Sequence, residues 1–279
     1  MRVGEILNVL TQFFHRQGIE NAHVDAELLI AYVLQCKRLD LFLNYDKPLT
    51  SKQADALRTY AKFRAQKHPL QYILGSVDFY GQRIKVDTRV LIPRPETEEL
   101  IHQLSEYWCN TPPKRVIDLG TGSGAIAIAL VSLFPHINMT ASDVHTDALC
   151  LAIENATTHR VAHKIQFLHS DWFEKIPHHF DCIISNPPYL TEQEWISAQP
   201  EVKCFEPKHA LVSKDDGLAD IKKLLHQGIQ HLNPHGYIVL ETGIDQHNYL
   251  HSFAKKCGYR DAKTTLDLHK RERFFWAWL

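Results

Sequence analysis

The chain has 279 residues, which at about 150 residues per domain lies between one and two domains and allows a sizeable core. Hydrophobic residues make up 44% of it and charged residues 23%, the proportions of folded globular proteins, which excludes a disordered chain or a fibrous repeat. With 31 Lys and Arg against 32 Asp and Glu the net charge is −1, so blanket attraction to nucleic-acid phosphates is excluded and stable nucleic-acid binding is not expected.

From residue 3 to about residue 67 apolar side chains recur three and four apart, as in Ile6, Leu10, Phe13 and Phe14 and again in Leu28, Leu29, Tyr32 and Val33, which is the spacing of amphipathic helices. Thr50 followed three residues later by Gln53 forms a capping box, and His68-Pro69 stops the helix it opens. Residues 71–92 change to short alternating runs punctuated by Gly75 and Gly81, the pattern of a β-hairpin. Beyond it, runs of strand length at 115–119, 138–143, 164–168, 180–186 and 236–241 alternate with helical stretches at 125–134, 146–156, 217–231 and 246–257. Such alternation builds a mainly parallel sheet covered on both faces. The last two runs, 261–266 and 273–279, have no helix between them and are expected to pair antiparallel. The resulting domains are a helical one over 1–70 that docks a partner, a hairpin linker over 71–92, and an α/β domain over 93–279.

No run approaches the roughly 18 apolar residues of a membrane span, and the opening residues lack a secretory pattern. The six cysteines (Cys36, Cys109, Cys150, Cys182, Cys204, Cys257) contain no CxxC pair, so they read as mostly buried, reduced thiols of a cytoplasmic protein. His159 and His163 lie four apart without a third ligand nearby, and no metal is expected. Lys62, Arg64, Lys67 and His68 form a small basic patch, read by default as a solvated helix face, with contact to an acidic or RNA partner as the alternative.

The first strand of the α/β domain runs into Asp118-Leu119-Gly120-Thr121-Gly122-Ser123-Gly124 at the start of a helix. Glycines there let a ligand approach the backbone, and the helix N-terminus offers free N–H groups. The next strand ends at Asp143, nineteen residues past Gly124, where a carboxylate can accept from both ribose hydroxyls of a nucleoside. The GxGxG spacing suits the amino-acid end of S-adenosyl-L-methionine better than a pyrophosphate. Asp171 and Trp172 follow the third strand and can hold adenine by its amino group and by stacking; core packing is the alternative for Trp172.

The fourth strand ends in Asn186-Pro187-Pro188-Tyr189, at the carboxyl edge where open α/β sheets bind their ligands. The nitrogen of a planar NH2 group is a poor nucleophile because its lone pair is delocalised. If the Asn186 oxygen and a carbonyl near Pro187 each accept one N–H, that nitrogen is aimed at the methyl donor and its growing charge meets oriented dipoles. Tyr189 offers a flat face for a planar amide or base. Asn186, Pro187 and Tyr189 are therefore the catalytic candidates. Methyl transfer from a sulfonium is an in-line displacement with a good leaving group, so it needs no metal, covalent nucleophile or strong base.

These residues resemble those of the release-factor glutamine methyltransferases of the PrmC/HemK family. The likeness extends through Pro69-Leu70-Gln71-Tyr72-Ile73-Leu74-Gly75, the run Pro93-Arg94-Pro95-Glu96-Thr97-Glu98, Glu206-Pro207 and Glu241-Thr242-Gly243 with Gln246. It implies a seven-stranded Rossmann-like class I methyltransferase sheet behind a small α-helical N-terminal domain. It also implies S-adenosylmethionine held by Gly120, Thr121, Gly122, Ser123, Gly124, Asp143, Asp171, Trp172 and Asn186. The implied substrate is the Gly-Gly-Gln glutamine of a peptide chain release factor, held by Asn186, Pro187, Pro188 and Tyr189, with Arg94 and Glu96 in the closing wall; independently of the resemblance, a monomer is expected. Two loops, 212–215 and 269–273, lack the glycine usual in the family. The rival readings are an amino methyltransferase acting on a flipped base of DNA or RNA, and a binding module without turnover.

Overall fold

The computed structural model describes residues 1–279. The chain forms two compact units, residues 1–76 with 199–205, and residues 77–198 with 206–279.

The first unit contains α1 (Val3–Arg16), α2 (Ala22–Leu34), a 3-10 helix (Arg38–Asn44), α3 (Ser51–Ala65) and α4 (Leu70–Leu74). Thr50 caps α3 in a full capping box with Gln53, satisfying two N–H groups that the helix cannot pair itself. Val3, Leu7, Leu10 and Phe14 of α1 meet Ala26, Leu29 and Ile30 of α2 in its core. Three expectations are corrected here: of the six cysteines, read as mostly buried, only Cys182 is buried, while Cys109, Cys150 and Cys204 are exposed. Residues 71–74 are helical, so the hairpin is confined to β1 (Ser76–Phe79) and β2 (Gln82–Lys85), joined through Tyr80 and Gly81. Both turn residues have positive φ (46° and 74°), as a two-residue hairpin turn requires. Nor is Arg64 part of a solvated face: it is buried, with Nε 2.6 Å from Asp25 Oδ2 and Nη1 2.9 Å from Glu201 Oε2. Lys67 donates to the carbonyls of Gln17 and Gly18, and His68 lies 4.0 Å from the Phe205 ring centre.

The second unit continues with α5 (Pro95–Tyr107), β3 (Arg115–Leu119), α6 (Ala125–Leu133), β4 (Asn138–Asp143), α7 (Thr146–Thr158), β5 (Ile165–His169), β6 (Phe180–Ser185) and α8 (Glu192–Ser197). After α9 (Pro200–Phe205), which belongs to the first unit, come the single turn α10 (Lys214–Gly217), α11 (Ala219–Gly228), β7 (Leu232–Glu241), α12 (His247–Cys257), β8 (Asp261–Leu266) and β9 (Glu272–Trp278). The sheet order is β5-β4-β3-β6-β7-β9-β8. β3 pairs in parallel with both β4 and β6, and β9 runs antiparallel to β7 and β8. The strand order reverses between β3 and β6, so the loops after these two strands diverge and leave a crevice at the carboxyl edge. Ile117, Leu119, Ile183, Ile238, Leu240 and Phe275 lie in the core of this unit, which fixes the sheet edge rigidly beneath the loops. No helix is long and apolar enough to cross a membrane.

Candidate active site

Three glycines shape the turn after β3. Gly120, Gly122 and Gly124 have φ of +70°, +55° and +80°, backbone in which a side chain is strained. The turn is pinned from below: Thr121 N–H donates to Ser142 O at 2.9 Å, and Gly122 N–H to Asp143 Oδ2 at 2.9 Å. Asn155 holds it from the side, donating to Ser123 O at 2.8 Å and bonding both backbone groups of Lys85 at the end of the hairpin. Asp143, almost fully buried, also accepts from His145 N–H at 2.9 Å, which leaves each of its oxygens a further lone pair.

Asp118 lies wholly buried beneath the turn. Thr121 donates to its Oδ2 at 2.6 Å, while Oδ1 has no partner. Burial pushes its carboxyl up to about 7. An unpaired buried carboxylate oxygen is costly unless a donor or cation arrives.

A cavity of about 140 Å³ opens over the turn. Of the residues singled out from sequence, Gly120, Thr121, Gly122, Ser123, Asp143, Trp172, Asn186 and Pro188 line it. Trp172 is held at φ +46° with its indole N–H on Asp220 Oδ1 at 3.1 Å; so bulky a residue in that region marks a locally enforced conformation. Others are not brought to the wall. Asp171 pairs with Lys223 at 2.9 Å, Arg94 with Glu206 at 2.5 Å, and Glu96 with Arg271 at 3.1 Å. Gly124 caps α6, and Pro187 lies outside the lining. Tyr189 also lies off the wall, its hydroxyl 3.2 Å from Glu241 Oε1 and its ring facing Arg273. Burial raises its phenol above the ordinary range.

Sequence reasoning gave no role to four residues that the fold places here. Thr97, at the start of α5, and the rings of His145 and His209, tilted at 37° with centres 3.7 Å apart, are in the cavity wall. Burial and the neighbouring His145 hold His209 below its ordinary range. Glu241, buried at the end of β7, accepts from Thr97 Oγ1 at 2.7 Å and has its carboxyl raised by burial. A carboxylate at the carboxyl end of an otherwise apolar strand was the available signal for Glu241. Position within the run Arg94-Pro95-Glu96-Thr97 was the signal for Thr97.

Comparison with known proteins identifies the family and the fold. Residues 5–75 match the PrmC N-terminal domain and residues 96–201 the methyltransferase small domain. The release factor glutamine methyltransferase of Rhodopirellula baltica is 34% identical over 278 residues, covering 97% of this chain and 94% of its own. That of Chlorobaculum tepidum is 40% identical over 221 residues, covering 76% and 75%. Among solved structures, the hMettl16 catalytic domain in complex with an RNA hairpin superposes with a TM-score of 0.59 at 17% identity, covering 82% of each chain. A methyltransferase from Pyrococcus furiosus gives 0.54 at 17% identity, covering 82% of this chain and 98% of its own. These two likenesses show the class I methyltransferase fold. On the identity and coverage of its relatives, the chain belongs to the release factor glutamine methyltransferase family.

Proposed function

We propose that this protein transfers a methyl group from S-adenosyl-L-methionine to the side-chain amide nitrogen of the glutamine in the Gly-Gly-Gln motif of peptide chain release factors, in the cytoplasm and as a monomer. The observation that carries the reading is a single cavity lined both by the turn at 120–123 and by Asn186. Family membership supports the substrate: the relatives above bear that activity in their names.

The residues present fit the methyl donor. Gly120, Thr121, Gly122 and Ser123 offer it backbone, and the spare lone pairs of Asp143 suit ribose hydroxyls. The orphaned Asp118 oxygen suits the electrostatics of a site for a cationic amino acid. When bound, S-adenosylmethionine supplies an electrophilic methyl on a sulfonium. Asn186 Oδ1 accepts one hydrogen of the glutamine amide and a carbonyl near Pro187 the other, which localises the nitrogen lone pair and aligns it. Trp172 and the His145–His209 pair shape the nucleoside end. Arg94 and Glu96 act through their ion pairs, holding the wall rather than touching substrate. The first unit docks the factor.

Release factor, DNA and RNA are offered side by side with methyl-labelled S-adenosylmethionine. Label in the release factor, absent when its Gly-Gly-Gln glutamine is replaced by alanine, is the expected result. Label in nucleic acid with none in the factor overturns the proposal.

A further inference from the structure

Asn186 does not stand alone at the end of β6. Its Nδ2 donates to Thr97 Oγ1 at 3.1 Å, and the same hydroxyl donates to Glu241 Oε2 at 2.7 Å. Glu241 Oε1 accepts from the Tyr189 hydroxyl at 3.2 Å. Both ends of Asn186-Pro187-Pro188-Tyr189 are thus tied to one buried carboxylate, Tyr189 directly and Asn186 through Thr97. Thr97 and Glu241 are 4% and 1% exposed, so water does not compete for these bonds.

The direction of the chain of bonds follows from counting hydrogens. A threonine hydroxyl has one hydrogen and two lone pairs. Glu241 Oε1 already receives the Tyr189 hydroxyl hydrogen, and in its ionised form the carboxylate accepts only, so the Thr97 hydrogen is committed to Oε2. What remains for Asn186 is a lone pair, and only the NH2 side of its amide can satisfy that. The Asn186 oxygen is then left facing away from Thr97, free to accept. Without the carboxylate, the threonine hydrogen could turn to Asn186 and hold the amide in the opposite sense, with NH2 where the acceptor is needed.

We propose that Thr97 is a positioning residue for methyl transfer, relaying the polarity of Glu241 to Asn186 so that Oδ1, and not Nδ2, meets the substrate amide. The inference deepens the function proposed above and rests on it. Neither residue touches the reacting atoms; both act through Asn186.

Thr97→Val and Thr97→Ser separate orientation from packing. Valine keeps the shape and removes the hydroxyl, whereas serine keeps the hydroxyl and removes a methyl group. An orienting role requires Thr97→Val to lower kcat about ten- to a hundredfold, with the Kd for S-adenosylmethionine within about threefold of wild type, while Thr97→Ser stays within about threefold in both. A packing role requires the reverse ranking. Glu241→Met, which fills the volume without an acceptor, is expected to lose kcat to a similar extent and carries the same test should Thr97→Val fail to fold. The double variant is expected to be no slower than the slower single, because the two residues act in series. Thr97→Val within threefold of wild type, equal losses in Val and Ser, or losses that multiply in the double variant each overturn the inference. Transfer to nucleic acid instead of release factor overturns the proposed function, and the ranking of variants on that acceptor still decides the role of Thr97.

Discussion

Under the proposed function Asn186 serves the substrate amide and Asp118 the charge of the methyl donor, and each can be tested alone. Removing the acceptor in Asn186→Ala is expected to lower turnover on release factor by two to three orders of magnitude, about the cost of losing one preorganised dipole at a reacting centre. Calorimetry is expected to show S-adenosylmethionine binding weakened only slightly, and a variant that still turns over near the wild-type rate contradicts the role. Asp118 has its carboxyl raised from 3.8 to about 7 by burial, so between those values the folded protein holds a proton that the unfolded chain has lost. Stability attributable to this group therefore falls as pH rises from about 4 to 7 and levels off above. Asp118→Asn removes that decline: its Tm advantage over wild type is expected to grow across this window, while its affinity for the cationic cofactor drops. Denaturation and binding measured from pH 5 to 8 check both signs, and an unchanged Tm difference counts against the orphaned carboxylate. The glycines of the turn, Asp143 and Asn186 could be read from the sequence because each ends a strand or lies just after one. Glu241 and Thr97 could not be assigned roles, because their bond joins residues 144 positions apart and no local pattern records it.

Among the elements, the short loops carry the information that periodicity misses. The two segments lacking the family's glycine each contain a non-glycine residue in left-handed backbone, Asp215 at φ 56° and Lys270 at φ 61°. Each such residue costs roughly 1–2 kcal/mol over a glycine's freedom to adopt the same angles, offset in part by glycine's extra entropy in the unfolded chain. Lys270→Gly is accordingly expected to raise stability by up to about 1 kcal/mol, read from urea denaturation midpoints, and a clear loss contradicts this account of the turn. In the first unit, the helices were legible from apolar spacing, yet Arg64 was misread as solvated. Its partners are Asp25 and Glu201, the latter contributed by a six-residue helix too short to show a period. Arg64→Met leaves two carboxylates facing an apolar side chain and is expected to cost about 3–5 kcal/mol in the unfolding of that unit. A cost below about 1 kcal/mol, the range of exposed pairs, contradicts the buried network.

Across the whole molecule, the order of strands and helices was legible because each strand of the parallel core is an apolar run bounded by a helix-length segment. β9 lies between β7 and β8 in the sheet, a placement that pairing preferences alone do not fix. The return of residues 199–205 to the first unit was equally hidden, since the chain leaves and re-enters the second unit within one connection after β6. That connection begins at Asn186, so the segment 199–205 that follows the proposed amide-binding residues is folded with the helical unit proposed to dock the factor. The central claim is that the crevice recognises a carboxamide and presents its nitrogen to a methyl donor. Mass spectrometry of release factor after incubation with the protein and S-adenosylmethionine tests this most directly, with a factor carrying glutamate in place of the Gly-Gly-Gln glutamine as its partner sample. The expected result is one added methyl on that glutamine's amide nitrogen and none on the glutamate factor. Methylation of the glutamate factor, or a methyl on any other atom of the native one, contradicts the account.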